Sequence, residues 1–179
     1  MKVLKFGGTS LGSAQRICHV ADLVGGCRGD ILVLSAMSGT TNSLVEIAEY
    51  LYKGNAPGAQ EIINALEAKY VATLSGLFGA DAPDNEATRA VAEVMAFLRA
   101  KCEAPLDAEG EKEILARGEL MSTAMMHALL TMRGMKTVIM PALDCVSTLD
   151  GGEPDMDAIR RRASDFIAAH PGCDIYITE

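Results

Sequence analysis

The chain has 179 residues, 49% of them hydrophobic and 22% charged, a balance that suits one globular domain with a real core. A net charge of −8 argues against nucleic acid or an anionic membrane surface as a partner. No apolar run approaches the roughly 18 residues that a membrane-spanning helix needs. Aromatic residues are only 4% and Trp is absent, so the core is aliphatic, with ten methionines as gap fillers. Cys18, Cys27, Cys102, Cys145 and Cys173 are scattered and form no CxxC pair. They read as small apolar fillers in a reducing cytoplasm, not as a disulfide framework or a zinc site. The sequence opens straight into a strand, so no signal peptide is expected.

Lys2 to Phe6 reads as a short buried strand with Val3, Leu4 and Phe6 as its apolar bulk. Lys5 stands just before a turn made by Gly7 and Gly8. Thr9, Ser10 and Ser13 are helix-capping types, and Ala14, Ile17, Ala21 and Val24 then repeat at helical spacing. Strand, glycine turn and helix start gather backbone N–H groups and a positive dipole end, which suits phosphate, and Lys5 adds a mobile charge. The same residues also read as a plain strand-to-helix turn with a solvated lysine. Neither GxxxxGK[ST] nor GxGxxG is present. Gly25-Gly26 ends the helix, and Ile31-Leu32-Val33-Leu34 suits a central parallel strand, so the opening is a right-handed β-α-β unit. Residues 35–43 form a loop of small hydroxyl residues before a helix with Leu44, Ile47 and Leu51 on one face, and Ser43 with Glu46 fits a capping box. Ligands of parallel sheets sit beyond the carboxyl ends of the strands, which places the Lys5 turn and this loop on one edge. Capping and ligand binding are both open to these hydroxyls.

Residues 53–101 read as mostly helical. One helix covers about 59–77, with Ile62, Leu66, Tyr70 and Leu74 in step. Gly76, Gly79 and Pro83 mark a turn, and a second helix carries Ala87, Val91, Val94 and Leu98. The Glu and Lys residues here read as solvated faces without chemistry. After Pro105, Glu111 to Met132 is a third helical region, interrupted at Gly118, with Leu115, Glu119, Ser122 and Met126 on one face. A carboxylate in such a stripe must be paired. It takes either a salt bridge with a nearby arginine or a substrate ammonium group. Thr137 to Met140 reads as a strand and Cys145 to Thr148 as another, with a turn at Asp150-Gly151-Gly152. Pro154 and Asp155 start a helix with Ile159, Ala163, Phe166 and Ile167 on one side and solvated Arg160, Arg161 and Arg162 on the other. His170-Pro171-Gly172 breaks it, and Asp174 to Thr178 is a final strand before Glu179.

Three strings carry a resemblance. Lys5-Phe6-Gly7-Gly8-Thr9-Ser10 resembles the opening signature of the aspartate kinases, in the amino-acid kinase family. Ser35-Ala36-Met37-Ser38-Gly39-Thr40-Thr41-Asn42 resembles the second motif of that family, and Gly118-Glu119-Leu120-Met121-Ser122-Thr123 the third. The resemblance implies an α/β fold: a three-layer sandwich with an open, mostly parallel sheet and helices on both faces, here incomplete. Residues 1–179 then correspond to the N-terminal, amino-acid-binding lobe of the catalytic domain. The C-terminal ATP-binding half and the regulatory domains are expected to be absent, and the isolated fragment to be inactive.

The implied reaction is transfer of the ATP γ-phosphoryl group to the β-carboxylate of L-aspartate, at the head of lysine, threonine and methionine biosynthesis in the cytoplasm. The implied roles are phosphate binding for Lys5, Gly7, Gly8, Thr9 and Ser10, with Lys5 catalytic. Ser35, Thr41 and Glu119 would bind the substrate, and Mg²⁺ would accompany ATP. The parent is expected to be a homo-oligomer. Two alternatives remain. One is a family member acting on glutamate, carbamate or a nucleotide, although carbamate and nucleotides offer no ammonium to Glu119. The other is a non-catalytic small-molecule-binding module.

Overall fold

Val3 to Phe6 form strand β1 (Val3–Phe6), followed by a single 3-10 turn, Gly8–Leu11, and helix α1 (Ala14–Val24). Ser13 caps α1 by accepting the Arg16 N–H. Strand β2 (Asp30–Leu34) pairs with β1 in parallel, as a β-α-β unit requires. The chain then builds helices α2 (Thr40–Tyr52), α3 (Ala56–Phe78), α4 (Glu86–Lys101), α5 (Ala108–Leu115) and α6 (Arg117–Met132). Strand β3 (Thr137–Ile139), the one-turn helix α7 (Ala142–Cys145), helix α8 (Met156–Ala169) and strand β4 (Ile175–Thr178) complete it. This computed structural model describes residues 1–79 and 84–179. No helix among the described residues is long and apolar enough to cross a membrane.

The four strands form one parallel sheet in the order β1-β2-β4-β3. Its register separates two faces. Leu4, Leu32, Ile177 and Ile139 lie in one row. Leu32 and Ile177 belong to the main core together with Ile17 and Val20 of α1, Leu129 and Leu130 of α6, and residues of α2 to α5. The alternate row is Val3, Ile31, Tyr176 and Val138, on the opposite face. There α8 lies over β4, where the Tyr176 hydroxyl donates to the His170 carbonyl at the helix end at 2.8 Å, while Val3 of β1 stays 65% exposed, so β1 is not the buried strand that its sequence predicts. The fold is therefore α/β, with helices on both faces of an open parallel sheet.

Several elements depart from the sequence expectations. Helix α2 starts at Thr40, so Ser43 lies inside it and forms no capping box. The cap position is Gly39, at φ 79°, and the Ser43 hydroxyl donates back to the Gly39 carbonyl at 3.3 Å. Gly76 is not a turn but lies within α3, where a Cβ would stand 2.7 Å from the Ala14 Cβ. The glycine serves the close approach of α1 and α3. Pro83 lies outside the described residues. The helical break falls at Ala116, two residues before Gly118. Cys145 to Thr148 is not a strand: Cys145 ends α7, and Thr148 makes a single bridge to Pro154. Asp155 does cap α8, accepting the Ala158 N–H at 3.0 Å, and Arg160, Arg161 and Arg162 are exposed. All five cysteines are free, with Cys145 buried and the others half-buried.

Candidate active site

Lys5 is the third residue of β1, exposed and in register with Val33 and Thr178 on the α8 face of the sheet. It has no ion-pair partner among the described residues. The strand ends at Phe6 because Gly7 and Gly8 carry the chain into the 3-10 turn, closed by the Ser10 N–H on the Gly7 carbonyl at 2.9 Å. Arg16 of α1 braces this turn by donating to the Thr9 carbonyl at 2.6 Å. The two glycines differ. A Cβ on Gly7 would meet nothing within 4 Å, so open space lies above it. A Cβ on Gly8 would stand 2.8 Å from the Ala36 carbonyl oxygen. Gly8 is thus required by the packing of one loop on another.

That second loop is the hydroxyl segment after β2. Ser35 extends the ladder by donating its N–H to the Phe6 carbonyl at 3.1 Å. The Ser38 N–H donates to the Gly8 carbonyl, also at 3.1 Å. Buried Ala36 and Met37 anchor the loop. Gly39 turns it with a positive φ that suits glycine, and α2 begins. Thr40 is buried and its hydroxyl lies 3.0 Å from the Tyr70 hydroxyl. Thr41, the threonine singled out above, faces solvent in the first turn of α2, and Ser35 is half-buried. Burial pushes the Tyr70 hydroxyl up to about 12, and the nearby Glu119 carboxylate adds to the push.

Glu119 lies in the first turn of α6. Its neighbour Gly118 packs on the hydroxyl loop so closely that a Cβ would stand 2.7 Å from the Ala36 Cβ and 3.1 Å from Thr40 Cγ2. Glu119 is half-buried and makes no ion pair among the described residues. The salt bridge offered as one alternative is not formed among the described residues: Arg117, the nearest arginine in sequence, lies over the Phe97 ring, 3.9 Å from its centroid. Glu119 instead lines a cavity of about 280 Å³ with Ala116, Leu120, Ala142, Leu143 and Glu179. Glu179 accepts the Ala142 N–H on one carboxylate oxygen at 3.1 Å, while the other oxygen is buried without a hydrogen-bond partner among the described residues.

The three segments singled out in the sequence therefore meet at the carboxyl edge of the sheet, locked through Gly8 on Ser38 and Gly118 on Ala36. Three further residues escaped the sequence reading. Glu179 follows β4, so its place on the carboxyl edge was the available signal. Tyr70 and Lys69, whose ammonium donates to the Ser38 carbonyl, lie on α3 inside an ordinary helical pattern, and nothing in the sequence marks them. No group of three or more His, Cys, Asp or Glu side chains among the described residues could hold a metal ion on its own.

An open parallel sheet with helices on both faces, and glycine and hydroxyl loops at its carboxyl edge, defines an α/β fold of the open-sheet class. The chain belongs to the amino acid kinase family, whose model matches residues 1–169. It is 30% identical over 167 residues to the lysine-sensitive aspartokinase 3 of Escherichia coli K12, covering 90% of this chain and 36% of that protein. It is 48% identical over 64 residues to the aspartate kinase of Pseudomonas fluorescens SBW25, covering 34% of this chain and 16% of that one. The crystal structure of E. coli aspartokinase III in complex with aspartate and ADP superposes with a TM-score of 0.79 at 27% identity. That match covers 99% of this chain and 40% of the E. coli chain. The chain thus spans well under half the length of these relatives.

Proposed function

We propose that residues 1–179 form the amino-acid-binding lobe of an aspartate kinase. The enzyme transfers the ATP γ-phosphoryl group to the β-carboxylate of L-aspartate, giving 4-phospho-L-aspartate and ADP, at the head of lysine, threonine and methionine biosynthesis. The observation that carries this reading is the interlock at the sheet edge: the Ser38 N–H on the Gly8 carbonyl joins the glycine turn to the hydroxyl loop, and Gly118 on Ala36 joins that loop to the start of α6. The likeness to an E. coli aspartokinase III chain that holds aspartate and ADP supports it.

The chemistry suits these residues. An aspartate β-carboxylate is ionised near neutral pH, so its attack on phosphorus needs no general base. The difficulty is to bring two anions together, and catalysis becomes positioning plus charge neutralisation. Lys5, with no counter-ion among the described residues, holds the transferring phosphoryl oxygens. The open space above Gly7 lets phosphate approach the backbone, with Gly8, Thr9 and Ser10 shaping the turn. Ser35 and Thr41 donate hydroxyl hydrogen bonds to the substrate carboxylates, and unpaired Glu119 takes the ammonium. Mg²⁺ would arrive on the nucleotide, since such an ion is commonly held by one or two carboxylates plus the substrate phosphates. When bound, it neutralises phosphate charge.

The test is ADP release by the longest product of the gene that carries this chain, with the acyl phosphate trapped by hydroxylamine. L-aspartate should drive both ADP release and hydroxamate formation. Glutamate, carbamate and nucleoside monophosphates should drive neither. Turnover with one of these in place of aspartate would overturn the assignment.

A further inference from the structure

The proposed roles leave one feature of the hydroxyl loop unused: the cation that grips it. Lys69 lies on α3, where its charged neighbour Glu67 is already paired with Arg99 at 2.6 Å. Lys69 pairs with no carboxylate among the described residues. Its ammonium donates instead to the Ser38 carbonyl at 2.5 Å and lies 3.8 Å from where a Cβ on Gly39 would stand. Burial pushes this ammonium below the ordinary lysine value. An ammonium has three donors, and Ser38 takes one of them.

The peptide that Lys69 grips is the link between the two loops. The Ser38 N–H reaches back to the Gly8 carbonyl at 3.1 Å, while the Ser38 carbonyl is held from α3. Two residues on, the buried Thr40 hydroxyl meets the Tyr70 hydroxyl at 3.0 Å. Consecutive α3 residues therefore hold the loop at two points, Lys69 at its exposed side and Tyr70 at its buried side. The hydrogen bond at Ser38 is charge-assisted, so it is stronger than a neutral one and depends on the ammonium.

We propose that Lys69 is a positioning residue for this site: through Ser38 it sets the hydroxyl loop against the Gly7-Gly8 turn, and its uncompensated charge favours a dicarboxylate amino acid in that loop. The second half of this statement rests on the aspartate kinase reading; the first half does not. Lys69 acts through Ser38 and is not assigned contact with the reacting atoms.

The test compares Lys69→Met, which keeps the stem and removes charge and donor, with Lys69→Arg, which keeps both. It uses the longest gene product. Hydrogen exchange of the Ser38 and Thr40 amides reads the loop, and initial rates read the site. In Lys69→Met both amides should exchange at least about tenfold faster, with α4 amides unchanged. The KM for L-aspartate should rise at least about tenfold while kcat falls less, and Lys69→Arg should recover most of both losses. Unchanged exchange overturns the proposal. So does a lower melting temperature with unchanged KM, since Lys69 would then only support the fold. A wild-type protein without aspartate-dependent phosphoryl transfer overturns the kinase reading, and the exchange data still decide whether Lys69 sets the loop.

Discussion

Gly118→Ala separates packing from function at the point where α6 meets the hydroxyl loop. Alanine is intrinsically the better helix residue, by up to about 1 kcal/mol. Against that, the new Cβ would stand 2.7 Å from the Ala36 Cβ and 3.1 Å from Thr40 Cγ2, both short of the 3.4 Å at which ordinary contact begins. Overpacking of this kind costs about 1–3 kcal/mol. The two effects partly offset, so unfolding stability should fall by at most about 3 kcal/mol. Activity should suffer more. Ala36 is buried and Thr40 is tied to Tyr70, so the first turn of α6 must yield. It has to move by about 0.7 Å, carrying Glu119 with it, and a displacement of that size costs on the order of tenfold to a hundredfold in kcat/KM. Urea unfolding and aspartate-dependent ADP release on the same protein read the two effects. Gly26→Ala is the control, because a Cβ there meets nothing within 4 Å. A Gly118→Ala enzyme with wild-type kcat/KM would refute the argument that this contact places Glu119.

Two further outcomes are expected. Lys5→Ala should lower kcat about a hundredfold, the loss of roughly 3 kcal/mol of preorganised charge, with a smaller change in KM for aspartate; steady-state kinetics with near wild-type kcat would make Lys5 a surface lysine. The second concerns pH. The Arg99 hydrogen bond holds the Glu67 carboxyl below its ordinary 4.5. A folded-state value below the unfolded one contributes stability above the unfolded value and loses it as pH falls through the folded one. With the two side chains 36% and 38% exposed, the contribution is at most about 1 kcal/mol. Glu67→Gln should therefore reduce stability at neutral pH by that small amount and flatten its decline below 4.5, as followed by chemical unfolding across pH. An unchanged acid limb would mean that the pair contributes nothing.

The periodic and capped parts of this fold were legible in the sequence. Ile31 to Leu34 is apolar on both faces because β2 is a central strand, and Asp155 announces α8 as its cap. The edge on which the candidate site lies was legible too, since it follows from parallel strands alone. Misreadings arose where long-range packing overrides local preference. Gly76 looks like a helix stop, but the approach of Ala14 makes a small residue necessary inside α3. Ser43 looks like a cap, but Gly39 with its positive φ starts α2 earlier. Cys145 to Thr148 has strand composition, yet Cys145 completes α7. Lys69 and Tyr70 were illegible for a different reason: their partners, Ser38 and Thr40, are about thirty residues away, and no local pattern encodes such a pairing.

The measurement that bears most directly on the central claim is the affinity of Glu119→Ala for L-aspartate relative to succinate. Succinate carries the same two carboxylates without the ammonium. Removing a charged hydrogen-bond partner should lower kcat/KM for L-aspartate at least about tenfold. Succinate inhibition should be unchanged or stronger, because a half-buried carboxylate that succinate cannot pair is removed from its site. The ratio cancels any general damage to the fold. A mutant that weakens aspartate and succinate equally would contradict the account, placing the ammonium elsewhere and leaving Glu119 a structural residue.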